Sequence, residues 1–253
     1  IDDVSSVGWY RKHFMPDPCW QGKRVFIEFE GVFRDSVFWI NGTYMDRHNS
    51  GYTSFLFEIT DHLVFGEDNS IAVRVDTSQA EGWWYEGSGV YRNVFLYVAE
   101  PVYIKPRKTI IKTALDGRVS VECTVVNDTP EPFCGDVVFE TADIASAVHT
   151  AIAPYGEAVV KVELHIESPR LWHVDAPNLY TLSIRIGEEI HTESFGVRTV
   201  GFAPDRGFLL NSKPLKIHGA CVHQDFGGVG VALTDNLQRY KIARLKAMGV
   251  NAY

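Results

Sequence analysis

The sequence has no long uninterrupted apolar run and no excess of positive charge. No segment approaches the roughly 18 consecutive apolar residues that a membrane-spanning helix needs, so the sequence predicts no membrane partner. The formal net charge is −8, and no basic run is present. Nucleic-acid binding depends on lysine and arginine to neutralise phosphates, so we expect no nucleic-acid partner either.

Cysteine is also scarce. The four cysteines Cys19, Cys123, Cys134 and Cys221 form no CxxC pair and have no histidine at zinc spacing. Cys123 and Cys134 suit neighbouring strands, so a disulfide and two free buried thiols both remain open. No dense Asp/Asn run marks a cation site. We therefore expect no required cofactor, leave a structural divalent cation open, and leave the compartment undecided.

What the sequence does contain is apolar and aromatic material. Its 253 residues are 45% hydrophobic and 13% aromatic, which is enough for a large core or for two domains. The aromatic side chains fit the core of a β-sandwich better than a set of sugar-stacking platforms. The sequence begins at Ile1 rather than at Met, which we interpret as a fragment boundary.

Residues 1–100 are expected to form short strands. In the segment 70–76 the odd positions are apolar and the even positions mostly polar, a period of two that is typical of a half-buried strand. The pair Asn41-Gly42 predicts a tight hairpin, because a type I′ turn needs positive φ at both central residues. Residues 101–200 continue the strand pattern, most clearly at 158–166, and predict an immunoglobulin-like sandwich.

After Gly201 the pattern changes. Asn211–Pro214 is predicted to turn a hairpin between Phe208–Leu210 and Leu215–Ile217. A helix is expected to begin after Thr234 as N-cap and to end before Gly249, and residues 250–253 have the composition of a following strand. A strand–helix–strand unit cannot bury its own faces, so the pattern indicates the start of a larger α/β domain.

Four segments together resemble glycoside hydrolase family 2, the family of β-galactosidases, β-glucuronidases and β-mannosidases. They are Gly8–Lys12 with Phe29–Val32; Asn41-Gly42 with Gly51–Thr53; Trp84–Val94; and Phe195–Arg198 with His223–Asp225. The resemblance covers essentially the whole sequence, and its specificity comes from the order and spacing of all four segments.

The resemblance implies a mostly β architecture in three parts. Residues 1–100 are expected to form a sugar-binding jelly-roll domain that lacks its first strands, and residues 101–200 an immunoglobulin-like β-sandwich. Residues 201–253 are expected to start a truncated (β/α)8 TIM-barrel catalytic domain. In this family the acid/base and nucleophile glutamates follow later barrel strands, so we predict that the sequence contains no catalytic residue and that the fragment itself is inactive.

The predicted site residues are therefore substrate-binding ones. His223 and Asp225 follow a predicted barrel strand, whose C-terminal end faces the active site of a TIM barrel. An imidazole and a carboxylate can bind adjacent sugar hydroxyls, although the same pair can also stabilise a loop. Asn93 occupies a position where some family members carry an Asp or Asn that reaches the site, and its amide can both donate and accept. A hydrogen bond at a strand end is the alternative role.

Other segments are less specific. Trp83, Trp84 and Tyr85 suit packing between domains better than a stacking platform for a sugar. The run Gly227–Gly230 lacks the context of a phosphate loop and is interpreted as a flexible active-site loop. Glu86 and Asp225 do not lie in the motif expected for catalytic carboxylates.

The resemblance implies a retaining β-glycosidase of carbohydrate metabolism that acts on an oligosaccharide or β-glycoside. We expect a β-galactosidase, with β-glucuronidase as the alternative enzyme, and leave open whether the whole protein is a homo-oligomer. A non-catalytic pair of carbohydrate-binding modules is the alternative from another class of protein. Residues 207–253 argue against it, because a binding module has no reason to continue into a barrel strand and helix.

Overall fold

The computed structural model describes residues 6–79 and 87–253, and these residues are mostly β. They divide into two compact units. The first unit contains the described residues up to Val98 together with Ala220–Gly249 and Tyr253. The second unit contains Ala99–Gly219 together with Val250–Ala252.

The first unit is built from two main sheets. Their strand orders are β1-β7-β4-β5 and β6-β2-β9, and β3 pairs with β8 beside them. Two short 3-10 helices, Pro18–Trp20 and Thr60–His62, connect strands. The strands are β1 (Val7–Phe14), β2 (Arg24–Phe29), β3 (Val32–Phe33), β4 (Ser36–Ile40), β5 (Thr43–His48), β6 (Phe55–Glu58), β7 (Asn69–Asp76), β8 (Gly89–Val90) and β9 (Val94–Ala99).

The core of the first unit lies between these sheets. Alternate residues of β7 are buried, as the period of two in the sequence predicts, because successive side chains of a strand point to opposite faces. They pack in one cluster with side chains of β2 from the other sheet. The buried residues of this core are Val25, Ile27, Phe29, Val32, Phe38, Ile40, Phe55, Ile59, Ile71, Val73 and Val75.

The predicted Asn41-Gly42 turn is confirmed. It joins β4 to β5, and its two residues have φ values of 48° and 81°. The Asn41 side chain also satisfies a buried polar group, because its Nδ2 donates to Oδ1 of the fully buried Asn69 at 2.7 Å. The turn is therefore specified both by backbone preference and by a buried partner.

The second unit contains two further sheets that face each other. Their orders are β10-β11-β14 and β13-β12-β17-β18, with small sheets β15-β16 and β19-β20-β21 beside them. The strands are β10 (Val102–Thr113), β11 (Arg118–Asn127), β12 (Phe133–Thr141), β13 (Ile144–Ile152), β14 (Gly156–His165), β15 (Trp172–His173), β16 (Ala176–Pro177), β17 (Tyr180–Ile186), β18 (Glu189–Phe195), β19 (Val200–Ala203), β20 (Gly207–Leu210) and β21 (Lys213–Pro214).

The core of the second unit follows the predicted alternation. In β14, Val160 and Leu164 are buried, whereas Lys161 and Glu163 between them are exposed. These buried residues join one cluster with Phe139 of the opposite sheet. Two packed antiparallel sheets agree with the predicted immunoglobulin-like sandwich.

The cysteines do not pair. All four are free, and Cys123 is buried in the core whereas Cys134 is exposed. The two residues lie in different sheets, on β11 and β12. The Cys123–Cys134 disulfide that the sequence left open is therefore absent, because one side chain points into the sandwich and the other points away from it.

The hairpin predicted around Asn211–Pro214 is present with a shorter turn. Asn211 and Ser212 alone form the turn, with φ values of 51° and 64°, and Lys213–Pro214 already pairs with β20. Leu215–Ile217 was expected to be the second strand and is not one. Asparagine tolerates the left-handed conformation, so two residues suffice where the sequence suggested four.

The helix α1 (Asp235–Ala247) has the predicted ends. Thr234 is the N-cap, and its hydroxyl accepts a hydrogen bond from the amide of Leu237. Gly249 has a φ of 87° just after the last turn. No residue of α1 is buried, and Tyr240 is half exposed. Within residues 6–79 and 87–253, no helix has the length and apolar character to cross a membrane.

Candidate functional site

Asn93 immediately precedes β9, and its side chain is hydrogen-bonded to Glu30. Its Nδ2 donates to Oε2 of Glu30 at 2.9 Å, and the amide of Glu30 donates to the carbonyl of Asn93 at 3.0 Å. Nη2 of Arg92 also lies 3.3 Å from the same carboxylate oxygen. The Asn93 side chain is exposed, so the carboxylate orients it while leaving it accessible.

The close approach of these residues depends on Gly31. A Cβ at Gly31 would lie 2.8 Å from the Tyr91 ring and 2.9 Å from the Arg92 side chain. The hydroxyl of Tyr91 donates to the carbonyl of Gly51 at 2.8 Å. Burial raises the pKa of Tyr91, so its phenol remains a neutral donor at ordinary pH. The segment before Asn93 is therefore fixed by the Tyr91 hydrogen bond to Gly51 and by the Arg92 contact with Glu30.

His223 and Asp225 lie on a segment that α1 holds by its backbone. Nζ of Lys241 donates to the carbonyl of His223 at 2.9 Å and to the carbonyl of Asp225 at 3.2 Å. His223 and Asp225 are exposed, whereas Gln224 between them is partly buried. Within the part of the chain that the structure describes, Nε2 of Gln224 is buried without a hydrogen-bond partner.

The glycine run that follows forms a compact turn. The amide of Phe226 donates to the carbonyl of Gly230 and the amide of Gly230 donates back to Phe226, both at 3.0 Å. Beyond this turn Val231 and Leu233 are buried. A Cβ at Gly87 would lie only 2.4 Å from Cγ2 of Val231, so the segment packs directly on the backbone of the first sandwich.

Arg92 connects the two parts of the candidate site. Its Nη2 lies 3.8 Å from Oδ1 of Asp235, in the first turn of α1. The same guanidinium contacts Glu30, the partner of Asn93. Sequence reasoning named Asn93, His223 and Asp225 but missed Glu30, Lys241 and Asp235 as the side chains that position this region. Their partners are remote in the chain, so no local pattern shows them.

Some expectations are not tested by this geometry. Trp83, Trp84, Tyr85 and Glu86 lie outside the described residues. Among residues 6–79 and 87–253, no group of three or more His, Cys, Asp or Glu side chains is placed to hold a metal ion. The contacts of Asn93, His223 and Asp225 with a sugar remain predictions.

The fold is that of a mostly β protein with two compact units, each built around packed sheets. Residues 1–100 match the sequence model described as "Glycosyl hydrolases family 2, sugar binding domain", and residues 102–198 match "Glycosyl hydrolases family 2". The chain belongs to glycosyl hydrolase family 2.

Similar proteins carry two activity names. The chain is 33% identical to a β-galactosidase from Thermoanaerobacter pseudethanolicus, over 99% of this chain and 36% of the relative. It is 31% identical to a β-glucuronidase from Bacteroides fragilis, over 100% of this chain and 40% of the relative. The chain therefore spans about two fifths or less of the length of these relatives.

A solved structure shows the same fold. A glycosyl hydrolase family 2 member from Bacteroides cellulosilyticus superposes with a TM-score of 0.91 at 31% identity. The alignment covers 98% of this chain and 36% of that one.

Proposed function

We propose that this chain is part of a retaining β-glycosidase, and that Asn93, His223 and Asp225 form a wall of its sugar-binding site. The observation that carries the proposal is the packing of the 220–249 segment into the same unit as the first sandwich. Arg92 contacts both Glu30 and Asp235, so the strand end that carries Asn93 and the helix that holds His223 and Asp225 are tied together.

The proposed role of the wall is hydroxyl recognition. The Asp225 carboxylate accepts hydrogen bonds, the His223 imidazole donates or accepts, and the Asn93 amide does both. Retaining hydrolysis needs two carboxyl groups about 5–5.5 Å apart, one to protonate the leaving oxygen and one to attack the anomeric carbon. We assign neither role to a residue of this chain and propose that both glutamates belong to other parts of the protein.

We also propose that residues 201–253 begin a (β/α)8 barrel, after a jelly roll over 1–100 and an immunoglobulin-like sandwich over 101–200. A parallel bridge between Gly219 and Ala252 supports this. The amide of Asn251 donates to the carbonyl of His218 at 3.0 Å, and its side chain accepts from the amide of His218 at 2.8 Å. In sequence, α1 lies between the two bridge partners, as in a βαβ unit.

The proposed substrate is a β-galactoside. Recognition of a glucuronide carboxylate calls for an available cation. In the described wall Arg92 is engaged by Glu30 and Asp235, and Lys241 by two backbone carbonyls. This arrangement favours a neutral sugar. A β-glucuronidase is the alternative, since relatives with both names are similar to the chain.

A substrate panel tests this proposal. The full-length protein is expected to hydrolyse aryl β-galactoside with a higher kcat/KM than aryl β-glucuronide or β-mannoside. The released sugar should first appear as the β-anomer by NMR, whereas residues 1–253 alone should give no turnover above blank. Faster hydrolysis of the glucuronide would contradict the substrate. Glycan binding by the full-length protein without hydrolysis of any glycoside would support a pair of binding modules instead.

A further inference from the structure

The hairpin of β12 and β13 brings a cysteine, a histidine and an aspartate together on its outer face. Asp136 lies directly opposite His149 in the register, and Cys134 precedes Asp136 by two residues on the same strand. Residues two apart on a strand share a face, and directly paired residues are neighbours across it. Ala151 lies opposite Cys134 on the neighbouring strand, and because its side chain is small the Cys134 thiol stays accessible.

The three side chains are joined by two contacts. Nδ1 of His149 lies 2.8 Å from Oδ1 of Asp136, and Nε2 of His149 lies 3.3 Å from Sγ of Cys134. An ionised carboxylate only accepts hydrogen bonds, so Nδ1 carries the proton of a neutral imidazole. Nε2 is then the lone-pair nitrogen, and it faces the thiol. The Asp136 carboxylate can stabilise the imidazolium that forms when Nε2 takes a proton.

Cys19 and Cys123 have different surroundings from Cys134. Cys19 is exposed, but its thiol hydrogen-bonds to the Asp17 carboxylate, which raises the pKa of Cys19. Cys123 is buried in the core, and burial raises its pKa to about 12. Both environments favour the thiol over the nucleophilic thiolate. Cys134 instead has a base at its sulfur and is exposed to reagents.

We propose that Cys134 is a nucleophilic modification site that exchanges with small-molecule disulfides, with His149 as the base and Asp136 as a positioning residue. The Sγ proton passes to Nε2 of His149, and the thiolate attacks one sulfur of the disulfide. The S–S bond of the reagent breaks, and its leaving sulfur takes the proton back from His149. Cys134 is oxidised to a mixed disulfide and the other half of the reagent is reduced to a thiol. This site is independent of the proposed glycosidase activity.

The test is site-resolved labelling of the full-length protein with 2,2′-dithiodipyridine at pH 7, read by peptide mass spectrometry. The reagent is neutral, so the Asp136 charge neither attracts nor repels it. Cys134 is expected to react at least about tenfold faster than Cys19, since a positioned base contributes at least that much to proton transfer. Cys123 should react last. Equal rates at Cys134 and Cys19 would overturn the proposal.

Variants separate the base from simple exposure. His149→Ala is expected to slow labelling of Cys134 about tenfold and to leave Cys19 unchanged, whereas His165→Ala, an exposed histidine on β14, should change neither. Asp136→Asn should also slow Cys134, and Asp136→Glu should restore most of the rate, a recovery that a merely structural role would not give. All variants are compared only where their melting curves match the parent. Unchanged Cys134 labelling in His149→Ala would refute the role of the histidine.

Discussion

Replacing Asp225 by alanine in the full-length protein is expected to lower kcat/KM for an aryl β-galactoside by about 10- to 150-fold. The estimate follows from the loss of a charge-assisted hydrogen bond to a sugar hydroxyl, worth about 1.5–3 kcal/mol, at 1.36 kcal/mol per factor of ten. The carbonyl of Asp225, not its carboxylate, is the group that Lys241 holds, so alanine preserves that anchor. Steady-state kinetics on purified variants measures the effect.

The matched control is Asp205→Ala. Asp205 is also an exposed aspartate, with 79% of its side chain accessible, and it lies between β19 and β20 of the second unit. This variant should stay within about twofold of the parent, because an exposed ion pair contributes little. An Asp225→Ala enzyme as active as the control would remove Asp225 from the site. Equal losses in both variants would point to a general effect of surface charge.

Gly87→Ala is expected to cost about 2–5 kcal/mol of stability in the first unit. Gly87 has a φ of 75°, which costs a residue with a Cβ about 1–2 kcal/mol, and the new methyl would lie 2.4 Å from Cγ2 of Val231. Overpacking of this kind adds about 1–3 kcal/mol. Because Val231 anchors the segment after His223 and Asp225, we also expect a lower kcat/KM. The denaturation midpoint and the galactoside assay measure the two effects.

Gly66→Ala separates backbone strain from the contact. Gly66 has a φ of 80°, close to that of Gly87, but a Cβ there would meet nothing within 4 Å. Its stability loss should therefore be limited to the backbone contribution of about 1–2 kcal/mol, and its activity should not change. If both glycine variants lost the same free energy of unfolding, the close packing of Val231 on Gly87 would contribute nothing to stability.

Much of the fold was predictable because local patterns and tertiary packing agree. The period of two in 70–76 and in 158–166 matches the buried faces of β7 and β14. The Asn41-Gly42 turn and the ends of α1 follow from backbone preferences of a few residues. The turn at Asn211 was misjudged in length, because the pairing of Lys213–Pro214 with β20 depends on the partner strand and not on the local sequence.

The candidate site was only partly predictable. The motifs shared with the family pointed to Asn93, His223 and Asp225. No local sequence pattern indicates that Glu30 contacts Arg92, which lies 62 residues away. The Cys134–His149 contact was hidden for a related reason, since it depends on the register of the β12–β13 hairpin. That hairpin turns at Ala142-Asp143, and Ala142 has a φ of 51° although alanine does not favour the left-handed conformation. Contacts between remote segments require the folded chain.

Locating the nucleophile tests the account most directly. The full-length protein is treated with a 2-fluoro β-galactoside, which leaves a slowly hydrolysed glycosyl-enzyme in a retaining mechanism. The labelled peptide is then identified by mass spectrometry. We predict a labelled glutamate outside residues 1–253, and slower labelling in Asp225→Ala than in Asp205→Ala. A sugar attached to any carboxylate within residues 1–253 would contradict the account.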